Sequence, residues 1–376
     1  MAGLSHEAEV MDAAPEGTQH KAKRVLVTGL STYWGGRLAQ ALESHPEIEA
    51  IIGVDNHEPT RELNRTEFVK ISNQHSLISR IVIAAEIDTV IDTRLVVNSI
   101  QTAPNLAHEN NVIGTMNILA ACAGSDSPVR KFIFKSTAHY YGCEQDDPAF
   151  FTEDMKRPHP PRTRIERDIL EAENAVAEFG DRNPRLTTTV LRCSNVLGPH
   201  LETAHTRMFS LPLVPMVLGF DPRCQYVYED DVVRALEHAA FNEVPGVHNV
   251  GADGVLALSE VIGLLGKRPL PVLPPWGTGL ALGPLRRLGF RLPDEMVNQL
   301  RFGRGLDNRK FKATGFRYGY TTREAVIKFG EHLRLHPVLR GSEGGYRYEK
   351  EVEEFLRWSP HVQRDEPGGS QEPFGI

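Results

Sequence analysis

The sequence predicts an α/β fold, a doubly wound parallel sheet with a smaller C-terminal lobe, on three observations. From Lys23 onward, short β-branched runs alternate with longer segments of helical period. The first run ends in a glycine-bearing turn that opens a helix, and an acidic residue closes the second run. Such alternation marks βαβ units, and right-handed crossovers leave few topologies other than the doubly wound sheet.

The elements follow in order. Arg24 to Thr28 is predicted as the first strand, Gly35 to Ser44 as a helix with Leu38 and Leu42 on one face, and Glu49 to Asp55 as the second strand. Phe68 to Ile71 and Thr89 to Ile91 are predicted as the third and fourth strands, and Val112 to Ala123 as a helix with small residues where two elements must approach. Lys131 to Lys135, a helix from Arg164 to Phe179, and Thr187 to Leu191 complete the main sheet. Beyond Pro199 prolines become dense, and Gln225 to Tyr228 and Val247 to Val250 are predicted to return to the main domain as short strands. The expected organisation is a disordered tail over 1–21, a dinucleotide-binding domain over 22–198 with returning segments near 222–251, and a substrate lobe made of 199–221 and 252–338. Residues 339–376 are expected to be a mostly flexible tail with a short helix.

Composition excludes several classes. The 376 residues are 40% hydrophobic and 24% charged, a globular balance, and the net charge of -7 without runs of one sign offers no footprint for nucleic acid or an anionic membrane. Cys122, Cys143, Cys193 and Cys224 stand far apart, with no CxxC pair, so neither a metal site nor a disulfide framework is signalled. Residues 1–20 lack a basic start and an apolar run, and no stretch reaches the roughly 18 apolar residues of a membrane span. The nearest stretch, Leu270 to Phe290, is broken by Pro271, Pro274, Pro275, Pro284, Arg286 and Arg287. A cytoplasmic protein is expected.

The turn after the first strand reads Thr28-Gly29-Leu30-Ser31-Thr32-Tyr33-Trp34-Gly35-Gly36, and Asp55 follows 26 residues after Gly29 at the tip of the second strand. Glycines let a pyrophosphate approach the backbone while the following helix aims its first amides at it. Strand, turn, helix, strand and terminal acid in that order make a Rossmann-type dinucleotide site. The aspartate suits the ribose hydroxyls of NAD and would repel the 2′-phosphate of NADP. The alternative is a turn that needs glycine for its own geometry, with Asp55 as a cap.

Several further motifs make the chain resemble the extended short-chain dehydrogenase/reductase family, in its NAD-dependent epimerase/dehydratase branch typified by UDP-glucose 4-epimerase. They are Asn111-Val112-Ile113-Gly114-Thr115, Phe134-Lys135-Ser136-Thr137-Ala138-His139-Tyr140-Tyr141-Gly142, Leu191 to Pro199, Tyr228 to Val232, His248 to Gly251, and Asp307 to Phe316. The likeness covers about residues 23 to 335. It implies NAD as cofactor, a nucleotide-sugar or similar small molecule as substrate, and a homodimer through two main-domain helices, one being Arg164 to Phe179. Cofactor-binding positions are then Gly29, Ser31, Thr32, Tyr33, Trp34, Gly35, Asp55, Asn56, Ser72, Thr93, Arg94 and Asn111. Thr137 falls at the hydroxyl that bonds the reacting sugar, Tyr141 is a further catalytic candidate, and Asn195 falls beside the substrate.

The pattern also departs from the family. Its chemistry rests on a tyrosine four residues before a lysine, and in the helix from Arg164 those positions are Ile165 and Ile169. The chain's one YxxxK, Tyr346 to Lys350, lies near the C-terminus. Thr32 replaces a glycine and is expected to crowd the pyrophosphate. Ser72 stands where the family has an aspartate, and Asp92-Thr93-Arg94 replaces a loop of small residues, so Arg94 would fill the room beside the nicotinamide ribose or reach a phosphate. His139, Tyr140 and Tyr141 could stand in as bases, but neighbours on an extended strand point alternately away. Two functions follow: an NAD-dependent epimerase/dehydratase-like oxidoreductase with an atypical active site, or a catalytically inactive nucleotide sensor or partner-binding protein of the same fold.

Overall fold

The computed structural model describes residues 21–71, 75–98, 102–273 and 294–335. All of them fall within one compact unit. Ser72, Tyr346, Lys350 and both predicted tails, apart from Lys21, lie outside the described residues.

Six strands of the predicted sheet are present: β1 Arg24–Thr28, β2 Ala50–Asp55, β3 Thr66–Lys70, β4 Thr89–Asp92, β5 Lys131–Thr137 and β6 Thr187–Cys193. With Gly246–Val250 they make a seven-stranded sheet in which β3, β2, β1, β4, β5, β6 and Gly246–Val250 lie side by side, every pair parallel. This is the doubly wound order, with the switch point between β1 and β4. Because all strands run one way, Thr28, Asp55, Asp92, Thr137 and Cys193 end on one edge, and ligands bind in the crevice outside that edge.

Both faces of the sheet are covered, which is why its strands read as near-continuous apolar runs. Along β1, Val25 and Val27 join one core with Leu38 and Leu42 of α1 (Tyr33–Glu43), while Leu26 joins the opposite core. The second face is closed by α2 (His75–Ala84), α4 (Gly114–Ala123) and α5 (Arg164–Arg182), through residues such as Ile78, Val82, Ile118 and Val176. A third core gathers Met208, Phe209, Val214, Tyr226, Leu258, Val261 and Phe329 from the region expected to form the smaller lobe.

Tyr226–Tyr228 forms a short strand whose Val227 joins the first core, and it pairs in parallel with Asn195–Leu197 in a separate two-stranded sheet, the chain leaving β6 after the Ser194 amide bonds Val250 O. One expectation needs correction. The helix expected from Val112 starts earlier: a short α3 (Pro104–His108) and a π turn (Glu109–Ile113) run into α4. Such turns often mark functional positions. Among the described residues no helix is long and apolar enough to cross a membrane.

Candidate functional site: a cleft along the carboxyl edge of the sheet

The glycine turn is held by hydrogen bonds of its own. Gly29 takes φ +82, a left-handed conformation that side chains rarely adopt, and a Cβ on Gly35 would lie 2.1 Å from Gly29 O. Thr32 caps α1: its hydroxyl donates to Gly29 O at 2.7 Å and accepts the Gly35 amide at 3.1 Å. The side chain thus turns back onto the turn while still bordering the cleft. The amides of Tyr33 and Trp34, at the first two helical positions, have no intrahelical partner and carry the positive end of the helix dipole. Asp55 closes the turn from the tip of β2. One carboxylate oxygen accepts from both the Ser31 amide (2.8 Å) and the Ser31 hydroxyl (2.7 Å), and the other accepts the Asn56 amide at 2.7 Å.

Arg94 takes a more definite position than its sequence context suggests. A Cβ on Gly29 would lie 2.5 Å from Arg94 Cγ, and one on Gly114 would lie 2.5 Å from its guanidinium, so both glycines leave room for this one side chain. Its guanidinium donates twice to Asp92, at 3.0 Å each, and Asp92 also accepts the Thr28 hydroxyl at 2.8 Å. The buried pair offsets much of the arginine's charge. Thr93 donates to Thr28 O at 2.8 Å.

Two cavities meet at this arginine. One, about 450 Å³, is bordered by Ser31, Asp55, Asn56, Ile71 and Ile78; the other, about 470 Å³, by Tyr33, Trp34, Lys135, Thr137, His139 and Asn195. Thr32, Arg94, Val96 and Thr102 border both, so the cleft runs from the tip of β2 to the tip of β5. Each volume falls in the range of small-molecule sites.

At the second cavity the chain leaves β5 as a 3-10 turn, Ala138–Tyr141, so the alternation expected for an extended strand stops at Thr137. His139 and Thr137 therefore share the cavity, with Thr137 Oγ1 2.9 Å from His139 Nδ1, and His139 Nε2 lies 3.0 Å from the Gln299 amide nitrogen. Burial, then Arg304, His205 and Arg157, hold His139 well below the usual histidine range, so it is neutral at pH 7. Burial, then Arg304, pushes His205, on the same cavity wall, down to about 3.

Lys135 also borders this cavity, only 6% exposed, with Nζ 4.7 Å from the Trp34 ring centre. Burial lowers its amine pKa, and Cys193 acts in the opposite direction.

Tyr141 does not border either cavity. Its hydroxyl donates to Asn249 Oδ1 at 2.8 Å and accepts from Arg192 at 2.9 Å, its ring stacks on Phe151, and burial pushes it up to about 12. Arg192 in turn donates to Glu173 of α5 at 2.7 Å, and the Ser136 hydroxyl donates to the same carboxylate. Tyr141 is thus one member of a buried network that ties β5 and β6 to α5. Ile165 and Ile169, 4% and 0% exposed, occupy the helix positions expected to carry a tyrosine and a lysine.

Asn111 also stands apart from the cleft lining. Its amide accepts from Val96 N and donates to Val96 O, both at 2.8 Å, clamping the loop that forms the wall of both cavities. It positions that wall. Among the predicted residues, Ser31, Thr32, Tyr33, Trp34, Asp55, Asn56, Thr93, Arg94, Thr137 and Asn195 all border the cleft, and Gly29 and Gly35 shape its floor. Sequence reasoning passed over Lys135, His205 and Gln299. Lys135 had a usable signal, standing two residues before Thr137 on the same strand face; His205 and Gln299 come from remote segments with none.

The profile of the NAD dependent epimerase/dehydratase family matches residues 25–251. The chain belongs to this family. A protein of Mycobacterium tuberculosis (strain ATCC 25618 / H37Rv), itself described as uncharacterized, is 35% identical over 325 residues, covering 84% of this chain and 86% of that protein. Among solved structures, UDP-glucose 4-epimerase from Thermotoga maritima with UDP-glucose is similar with a TM-score of 0.63, 23% identity, and coverage of 83% of this chain and 99% of that one. DesIV, a dTDP-glucose 4,6-dehydratase from Streptomyces venezuelae with NAD and TYD bound, gives 0.63, 18% identity, and coverage of 83% and 97%. At these identities the likeness concerns the fold.

Proposed function

We propose that this family member binds NAD along the cleft and acts as an epimerase/dehydratase-like oxidoreductase on a nucleotide-sugar, with an atypical active site. The observation that carries this reading is the continuous cleft from Asp55, past Thr32 and Arg94, to Thr137. The residues fit the group: Asp55 and Asn56 offer acceptors and donors for an adenosine ribose, the first amides of α1 and Thr32 face a pyrophosphate, and Thr93 and Arg94 border the passage to the second cavity. NAD, when bound, supplies a two-electron acceptor. The chain's own part is to orient a sugar hydroxyl, for which Thr137, beside His139 and Gln299, is placed, with Asn195 bordering the same cavity. The segments around the third core are read as the substrate lobe.

Exposed Leu106, Ile113 and Met116 lie on the helical segments beside α5 and support a homodimer through that face. All four cysteines are free and buried, which fits a reducing cytoplasm. Calorimetric titration with NAD and NADP, followed by incubation with UDP-, GDP- and dTDP-sugars, tests the reading. It expects NAD to bind more tightly than NADP and a keto-sugar or epimer to form. Absence of dinucleotide binding at millimolar concentration refutes it. One observation favours the second reading, an inactive nucleotide sensor: α5 has Ile165 and Ile169 where a base would stand, and Tyr141 is engaged elsewhere. Tight NAD binding without turnover on any sugar of the panel selects it.

A further inference from the structure

The oxidation of a sugar hydroxyl releases a proton as well as a hydride, and no residue of α5 borders the cavity to take it. Lys135 borders the same cavity as Thr137. It shares one face of β5 with Thr137, two residues on, whereas Ser136 between them donates to Glu173. Strand geometry puts the two Cα atoms about 7 Å apart, so a lysine side chain and a threonine hydroxyl can meet one substrate oxygen between them. Among the described residues no carboxylate pairs with the amine and no hydrogen bond holds it; it sits over the Trp34 ring at the start of α1.

Lysines are almost never this buried unless paired. A lysine that is nearly buried, unpaired and open to a cavity is an unusual structural choice, since a methionine would fill the same space without the cost of desolvating a charge. The charged and titratable groups bordering the cavity with it are Arg94 after β4, His139 after β5, Cys193 on β6, Tyr33 on α1, and His200, Glu202 and His205 from the segment after β6. None of these is paired with it. Burial lowers the amine toward the range in which lysines act as bases near neutral pH. His139 is shifted the other way for this role: burial and the nearby Arg304 hold it well below the usual histidine range, which weakens it as a base.

Resting on the nucleotide-sugar oxidoreductase reading, we propose that Lys135 is the catalytic base of the cavity, accepting the proton of the substrate hydroxyl that Thr137 orients. In that step the substrate O–H bond breaks and an N–H bond forms. The neutral amine becomes an ammonium, the electron pair of the O–H bond stays on the substrate oxygen to form the carbonyl, and the hydride leaves carbon for the nicotinamide dinucleotide. The ammonium returns the proton when the carbonyl is reduced again.

The test labels the amine directly, in the full chain. Pyridoxal 5′-phosphate followed by borohydride marks neutral lysine amines, and peptide mass spectrometry reads residue 135 across pH 6 to 11, with and without NAD. The expected result is a labelling midpoint at residue 135 at least one pH unit below the ordinary lysine value of about 10.4, and suppression of the label by NAD. Lys135→Arg keeps a cation over Trp34 but cannot release a proton, so both Lys135→Arg and Lys135→Met are expected to bind NAD while losing about 100- to 10,000-fold in turnover. Folding of each variant is checked by circular dichroism. A midpoint at the ordinary value, or an active Lys135→Arg enzyme, overturns the inference and leaves the oxidoreductase reading standing. Failure of the wild-type chain to bind NAD removes that reading instead, and with it the catalytic role of Lys135.

Discussion

The two ends of the cleft are built on different kinds of specification. At the β1–α1–β2 end the requirements belong to the backbone: a left-handed residue at Gly29, no Cβ at Gly35, a cap at the start of α1, and an acid at the end of β2. Thr32 meets them with its hydroxyl turned into the cap, although a glycine was expected there. At the β5–α5 end the requirements belong to side chains. There α5 carries neither a tyrosine nor a lysine, and its Ile165 and Ile169 are 4% and 0% exposed. A cradle made of backbone tolerates changes of side chain; chemistry that depends on two functional groups does not, and must be supplied from another element.

The largest effect is expected from breaking the frame of the second end. Glu173→Ala leaves Arg192 buried without its carboxylate and frees the Ser136 hydroxyl. Urea denaturation should show a loss of about 3–5 kcal/mol; a loss below about 1 kcal/mol would mean that the network does not brace β5 and β6 against α5.

The first end is sharpened by Asp55→Asn, which removes the charge that the NAD-binding proposal assigns to a ribose while the Ser31 contacts can persist. Hydrogen bonds to charged groups contribute about 1.5–3 kcal/mol, so NAD affinity should fall about 10- to 150-fold by calorimetry, with little change for NADP. An unchanged NAD to NADP ratio would leave Asp55 as a turn residue alone.

A pH titration probes the second end. His205 is held at about 3 when folded, against 6.5 for an ordinary histidine, and His139 is depressed in the same direction. Below pH 6.5 the unfolded chain binds protons that the folded chain refuses, so these two groups leave stability intact above about pH 6.5 and diminish it as pH falls toward 3. The slope is up to about 1.4 kcal/mol per pH unit for each histidine. His205→Gln should flatten it by about one proton; an unchanged slope would mean that His205 titrates normally in the fold.

The smallest effect is expected at Thr32. Thr32→Gly replaces one tolerated cap by another, with a change of only a few tenths of a kcal/mol, and NAD affinity should stay within about twofold. A tenfold gain in affinity would show that the threonine does crowd the phosphates, and would erase the contrast between the two ends.

The sequence by itself determined the sheet, since apolar runs alternating with helical period are a local property that burial on both faces enforces. It also determined the glycine turn, the terminal acid, and the absence of tyrosine and lysine from the helix that begins at Arg164, because each is a matter of residue identity at a given spacing. What tertiary structure decided are the relations between distant segments. That Arg94 lies between Gly29 and Gly114, that Asn111 clamps Val96, and that Tyr141 belongs to the Arg192 network follow from contacts across 15 to 65 residues. The placing of Lys135 and His139 in one cavity has a more local cause with the same outcome: strand period tells which residues share a face, but neither which face borders the cleft nor that β5 ends at Thr137 and winds into a 3-10 turn. Those depend on what packs against the strand, and only the folded chain supplies it.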